Sequence, residues 1–281
     1  DFPFTPTGAP GALPIANNTS LAMHYSSGVA NPVLIVIDGN VTSRSLRSAK
    51  FTKATQTWSA TTSIEAMGAN VASHLASDFD TNGNIVAVYY ELQTTLRPRY
   101  VYSTNGGSTW STPLSVSASN SQGVGLSIKI DPTTSKPGIA FYDATNNTVI
   151  YSKCSGTIAT CATAGWSPVN IDTAAGVSGL ANTSHQLLSA ALNYTSTGGV
   201  DVFYARGSGN DAALVKGVST DHTSFSTSTM AYGQASNMTG IAALNFGVAG
   251  WMVKATRNAS GNSTAVYVGP GNFLYSTSCG D

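Results

Sequence analysis

Two independent columns of residues recur along this chain at intervals of about fifty, and that period limits the fold more than any other feature. The first column is an aromatic followed by small residues: Trp58-Ser59, Trp110-Ser111, Trp166-Ser167, Phe225-Ser226 and, more weakly, Phe273-Leu274. The second ends an apolar run: LIVID at 34–38, VAVYYE at 86–91, GIAFYD at 138–143, VDVFYA at 200–205 and GWMVKA at 250–255. Consecutive members stand between 48 and 62 residues apart in both columns, which gives five units.

Each unit divides into four short strands. The first is small and apolar: LAMHY (21–25), HLASDF (74–79), LSIKI (126–130), LLSAALNY (187–194) and IAALNF (241–246). A turn of Gly, Asn, Asp or Pro leads into the apolar run as the second strand. The third alternates polar and apolar, as in RYVYST (99–104) and TVIYSK (148–153), and the fourth follows the aromatic. Runs of four to eight residues with regular turn signals mark an all-β chain. A four-strand unit repeated every 40–50 residues marks a β-propeller, whose radial closure leaves only short edges. The expectation is one all-β domain over 19–281, a five-bladed β-propeller of four-stranded blades. Its units run at about 19–66, 67–120, 121–178, 179–233 and 234–281. Residues 1–18, rich in Pro, Gly and Ala, read as a linker or a closing strand. A sixth blade assembled from the termini, or an irregular β-sandwich, is the alternative.

Composition narrows the function classes. Lys+Arg and Asp+Glu are 13 each in 281 residues, so the chain lacks the surplus of cations a general nucleic-acid binder needs. Hydrophobic residues make up 42%, too many for a disordered chain. The longest apolar run, Pro32 to Ile37, is strand-sized, so no membrane insertion is expected. Cys154 and Cys161, seven apart across Gly and Thr, can close a disulfide over a hairpin, which leaves Cys279 over. With a first residue that is not Met, the chain reads as a mature or excised domain of a secreted or cell-surface protein. No HxxxH or HExxH spacing exists, so neither a metal nor another cofactor is expected. Asp78, Asp80, Asn82 and Asn84 alternate like calcium ligands but read as an Asx-rich turn.

In the second unit, Ser103-Thr104-Asn105-Gly106-Gly107-Ser108-Thr109-Trp110 precedes the fourth strand. It resembles the Asp-box of the bacterial neuraminidase repeat, Ser-x-Asp-x-Gly-x-x-Trp, with Asn105 in the Asp position. The other units keep little more than the aromatic, and the third replaces the motif with the cysteine loop. The resemblance implies a sialidase-like propeller fold in which Ser103, Asn105, Gly107 and Trp110 are structural. It also implies that the working face carries the loops after the second and fourth strands.

The segments after the second strands hold five of the six arginines: Arg44, Arg97, Arg99, Arg206 and Arg257. Arginine's planar fork suits carboxylate or phosphate. Tyr90, Tyr142 and Tyr204 share one repeat position and offer a flat ring with a hydroxyl, which suits a sugar or an inter-blade core. His74 and His185 enter the same face. Asp38, Glu91 and Asp143 open the same loops and are the carboxylates a glycosidase would use. Tyr90 and Glu91, adjacent in a strand, point to opposite faces and cannot easily form a nucleophile couple. The leading expectation is a carbohydrate-binding propeller, a lectin or adhesin head for glycans or glycoproteins on another cell, anionic ones among them, with the Pro/Gly-rich N-terminus read as the join to a longer fibre or stalk. A glycoside hydrolase and a protein-interaction propeller are the other two readings.

Overall fold

The structure is a computed structural model. It describes residues 18–26, 29–40, 43–68, 71–92, 97–116, 123–143, 146, 148–161, 165–173, 190–206, 213–232, 251–257, 263–268 and 274–279. They build five antiparallel sheets in chain order, one for each unit read from the sequence. The first holds β1 (Asn18–Ser26), β2 (Val29–Asn40), β3 (Ser43–Thr52), the short β4 (Thr57–Trp58) and β5 (Thr62–Gly68). The second holds β6 (Val71–Phe79), β7 (Ile85–Leu92), β8 (Arg97–Ser103) and β9 (Leu114–Ser115). The third holds β10 (Gly123–Ile130), β11 (Pro137–Asp143), β12 (Thr148–Cys154) and β13 (Trp166–Asp172). The fourth holds β14 (Ala191–Tyr194), β15 (Val200–Arg206), β16 (Ala213–Ser219) and β17 (Ser226–Tyr232). The fifth shows β18 (Trp251–Arg257), β19 (Ser263–Val268) and β20 (Leu274–Cys279). The segment 241–246, expected as its first strand, lies outside the described residues.

In the second, third and fourth sheets the strands pair in sequence order, in the first both β4 and β5 pair with β3, and the described first strands of successive sheets pack against one another. This is the β-propeller expected from the repeat. Strand alternation gives every second strand two buried faces, so these runs read as nearly continuous apolar stretches. In β7, Ile85, Ala87 and Tyr89 face the first blade, while Val86, Val88 and Tyr90 face the third. Four such clusters fill the spaces between consecutive blades, and they are the core of the molecule.

The aromatic column has one structural job. Trp110 donates from Nε1 to Ser48 Oγ on β3 at 2.9 Å. Trp166 stands edge-on to Tyr100 on β8, with centroids 5.3 Å apart. Phe225 stands edge-on to Tyr151 on β12 at 5.4 Å. Each of these three aromatics thus locks its blade to the third strand of the blade before it, whereas Trp58 packs on Phe51 of its own sheet.

The turn that aims Trp110 is held by its own side chains. Gly107 N donates to Ser103 Oγ at 2.8 Å, Ser103 Oγ to Asn105 Oδ1 at 3.0 Å, and Thr109 N to Asn105 Oδ1 at 2.9 Å. Gly106 and Gly107 take φ of 64° and 80°, which favours glycine. The fourth blade builds the same turn, which the sequence reading missed. There Ser219 Oγ donates to Asp221 Oδ1, and His222 N to Ser219 Oγ. His222, at φ 62°, takes the place of Gly106. In the third blade the disulfide Cys154–Cys161 replaces this bonding, as expected from the spacing. The Asx-rich turn also behaves as expected: Asp80 accepts from Asn82 N and Asn84 N, and Asp78 accepts from Lys129 and Ile130 N.

His222 reaches back to the third blade. Lys153 Nζ contacts His222 Nε2 at 2.9 Å, and Tyr151 Oη contacts Nδ1 at 2.9 Å. An ammonium can only donate, so Nε2 accepts and the ring proton sits on Nδ1. Burial, and then the Lys153 charge, lowers the His222 pKa, against an opposing pull from Asp131 and Asp221. The unfolded chain binds this proton near pH 6.5 and the folded one only at lower pH. The contribution to stability is therefore complete above about pH 6.5 and declines as pH falls towards the folded pKa. Denaturant unfolding from pH 7.5 to 5.5 should show this slope. His222→Asn, which tolerates the left-handed backbone, should flatten it by up to about 1.4 kcal/mol per pH unit. Equal slopes in the two proteins would contradict the assignment.

Candidate functional site

The arginines expected in loops sit on strands instead: Arg44 on β3, Arg97 and Arg99 on β8, Arg206 on β15 and Arg257 on β18. The hairpins are tighter than the sequence suggested, so these residues fall on the paired rungs next to the turns. The four whose side chains are described, Arg44, Arg97, Arg99 and Arg206, divide between two inter-blade clefts.

Three of them meet between the first and second blades. On β3, Leu46 packs in the cluster shared with the second blade and Ser48 accepts from Trp110, so Arg44, of the same strand parity, faces that way too. Arg97 and Arg99 share a parity with Val101, which packs in the same cluster from the other side. Glu65 on β5 accepts from the Tyr89 hydroxyl and from Arg99 Nη2, the latter at 2.9 Å. Arg44 and Arg97 each lie two residues beyond this level, towards the same loop end. Arg44 is 5% exposed, yet its Nε and Nη1 have no hydrogen-bond partner among the described residues. Arg97 Nε is likewise buried and unbonded. Burying a guanidinium without acceptors is costly, so this end of the cleft is chemically unsaturated.

The second cleft, between the third and fourth blades, is saturated. Asp172, at the end of β13, accepts from the Tyr204 hydroxyl at 2.9 Å and from Arg206 Nε at 2.6 Å. The Tyr142 hydroxyl donates to the Ala205 carbonyl. Burial raises the tyrosine pKa values here, so the hydroxyls stay protonated. Glu65 and Asp172 do the same work in the two clefts. Sequence reasoning overlooked both, although each is a lone carboxylate near the end of a fourth strand ahead of a tyrosine in the next unit.

The tyrosine column is corrected. Tyr90 and Tyr142 face the following blade, whereas Tyr204 faces the preceding one, as Tyr89 does. The alignment of 204 with 90 and 142 was one residue out, and one residue changes the face. All three rings are fully buried in the inter-blade core, which leaves no flat face for a stacked sugar. Asp143 is buried between the second and third blades, where Asn146 donates to it from N at 3.3 Å and from Nδ2 at 2.6 Å. His74 lies at a bulge of the innermost strand β6, at φ 54°. The side chains of Asp38, Glu91 and Arg257, and the whole of His185, lie outside what is described, so no carboxylate triad is visible. Among the described residues no group of three or more His, Cys, Asp or Glu is placed to hold a metal ion.

No protein-family profile and no curated protein matches the chain. Solved structures do match in shape. A protein of unknown function from Dyadobacter fermentans aligns over 89% of this chain and 74% of its own, with 15% identity and a TM-score of 0.55. A polysaccharide lyase, an ulvan lyase of family PL25, aligns over 91% of this chain with 9% identity and a TM-score of 0.55. The chain spans 63% of that enzyme's length. The six-bladed fucose lectin of Aleuria aurantia aligns over 92% of this chain and 90% of its own, with 12% identity and a TM-score of 0.46. At these identities the likeness concerns fold alone.

Proposed function

We propose that this is a carbohydrate-binding propeller related to the Asp-box proteins, and that it takes anionic glycans in the arginine-lined cleft between its first and second blades. One observation carries the reading: Arg44 is buried with two N–H groups unbonded among the described residues, and Arg97 on the neighbouring blade has a third. Three guanidiniums stand there against one described carboxylate, Glu65. A sulfate or carboxylate on a sugar ring supplies acceptors that the described residues do not. The turns around Ser103 and Ser219 support the Asp-box relationship, because both use the bonding which that motif's chemistry calls for. A polysaccharide lyase of the same fold is in keeping with a saccharide partner. The disulfide supports a secreted or cell-surface location, since such bonds persist in oxidising compartments.

Titration with a sulfated oligosaccharide, a polygalacturonate oligomer and neutral dextran, at low and high salt, tests the proposal. The anionic probes should bind, and added salt should weaken them. Arg44→Met and Arg97→Met, which keep the apolar stem, should each weaken binding about tenfold, in line with a charge-assisted hydrogen bond worth roughly 1.5–3 kcal/mol. Equal affinity for dextran, or unchanged affinity in both variants, would refute it.

A further inference from the structure

We infer a second, chemically distinct ligand site in the cleft between the second and third blades, shaped for one neutral sugar ring. The observation is a cavity of about 380 Å³ walled by β11, β12 and β13. That falls within the range of roughly 300–1,000 Å³ typical of small-molecule sites. Its wall combines apolar surface from Phe141 and Ile150 with polar groups from Asp143, Ser152 and Asn170.

Two buried hydroxyls at this cleft lack partners. Ser152 lines the cavity at 1% exposure, and its Oγ has no hydrogen-bond partner among the described residues. Tyr90, also 1% exposed, packs in the cluster that includes Phe141 and Ile150, and its hydroxyl is unbonded too. Burial, and then the Asp143 charge, pushes the Tyr90 pKa up to about 12, so it keeps its proton and can donate. Trp166 Nε1, on the same face of β13 as Pro168 and Asn170, is a third buried donor without a partner among the described residues. Orphaned polar groups are uncommon in folded proteins, and three at one interface call for a polar occupant.

The chemistry of the wall selects the occupant. Asp143 is a carboxylate, and no Lys, Arg or His stands among the described residues that line the cavity, so an anion is disfavoured. A carboxylate accepts from vicinal hydroxyls, Ser and Tyr hydroxyls both donate and accept, and an indole N–H donates. A ring bearing several hydroxyls and an apolar C–H face satisfies these groups together. Charge thus separates the two clefts: anionic groups suit the arginine side and neutral ring hydroxyls the Asp143 side.

The test is saturation-transfer NMR with the whole chain and a panel of neutral methyl hexosides and 6-deoxyhexosides at millimolar concentration. N-acetylneuraminate and a methylated amine serve as contrasts. At least one neutral glycoside should bind with an affinity that salt does not change. Tyr90→Phe and Ser152→Ala, each of which deletes a single oxygen, should weaken it about five- to tenfold, and Arg44→Met should leave it unchanged. Each deletion should also leave the ligand-free protein at least as stable as the wild type, because an orphaned group is lost. No binding by any neutral glycoside, tighter binding of the amine than of every glycoside, or unchanged binding in both variants would overturn the inference. Failure of Arg44→Met to affect the anionic probes would count only against the first cleft, so the two proposals fall separately.

Discussion

Asp201→Ala is expected to lower folding stability by about 3–5 kcal/mol, a drop in Tm of roughly 10 °C for a chain of this size. Asp201 on β15 is 1% exposed, and its carboxylate meets Lys216 Nζ on β16 at 3.0 Å, with a Lys216 side chain that is 9% exposed. Ser263 Oγ on β19 donates to the same Asp201 oxygen at 2.8 Å, so this pair also ties the fourth blade to the fifth. Removing the carboxylate leaves an ammonium buried beside the Phe203 ring with no other counter-ion among the described residues. The loss comes from that stranded charge rather than from the value of the pair itself, which desolvation largely offsets. Asp201→Leu combined with Lys216→Met should therefore recover most of the loss. Thermal unfolding of the three variants decides the matter. A drop of less than about 3 °C for Asp201→Ala would show that Lys216 reaches water or another acceptor.

Gly138→Ala should cost about 3 kcal/mol, through crowding rather than loss of an interaction. A Cβ at this position would lie 2.0 Å from the Tyr194 hydroxyl oxygen, 3.1 Å from Tyr194 Cζ and 3.2 Å from Tyr151 Cε2. Neither ring can step aside cheaply. The two hydroxyls bond each other at 3.0 Å, and Tyr151 is also engaged by His222 and Phe225. Tyr194→Phe removes the worst contact, so Gly138→Ala should be milder in that background. The difference is the coupling energy of a double-mutant cycle measured by denaturant unfolding. Additive effects would mean that the strain is relieved elsewhere.

The repeat and its turns were legible because they depend on short-range chemistry. A small polar side chain, a left-handed backbone position and a following aromatic lie within eight residues, so Ser103 to Trp110 could be read directly. The matching turn at Ser219–Phe225 escaped because it is one residue shorter and places His222 where glycine is expected. The site was less legible. Arg44 looks like any exposed loop arginine in the sequence, and only the pairing of β3 with β2 and β5 places it on a buried face. Tyr204 aligned with Tyr90 and Tyr142 by its neighbours, yet a shift of one rung turned it towards the other blade.

Spacing along the chain was enough to mark the five units, the strands within them, the cysteine pairing and the turn that carries Trp110. All of these rest on local spacing, which a chain expresses before any long-range contact forms. Which side chains meet emerges from the packing of one blade on the next. Glu65 with Tyr89 and Arg99, Asp172 with Tyr204 and Arg206, and the unsatisfied groups around Arg44 and Asp143 all join residues from successive blades. Their meeting depends on register and on the face each strand turns to its neighbour. With a side-chain period of two, a single residue of slip exchanges core for cleft.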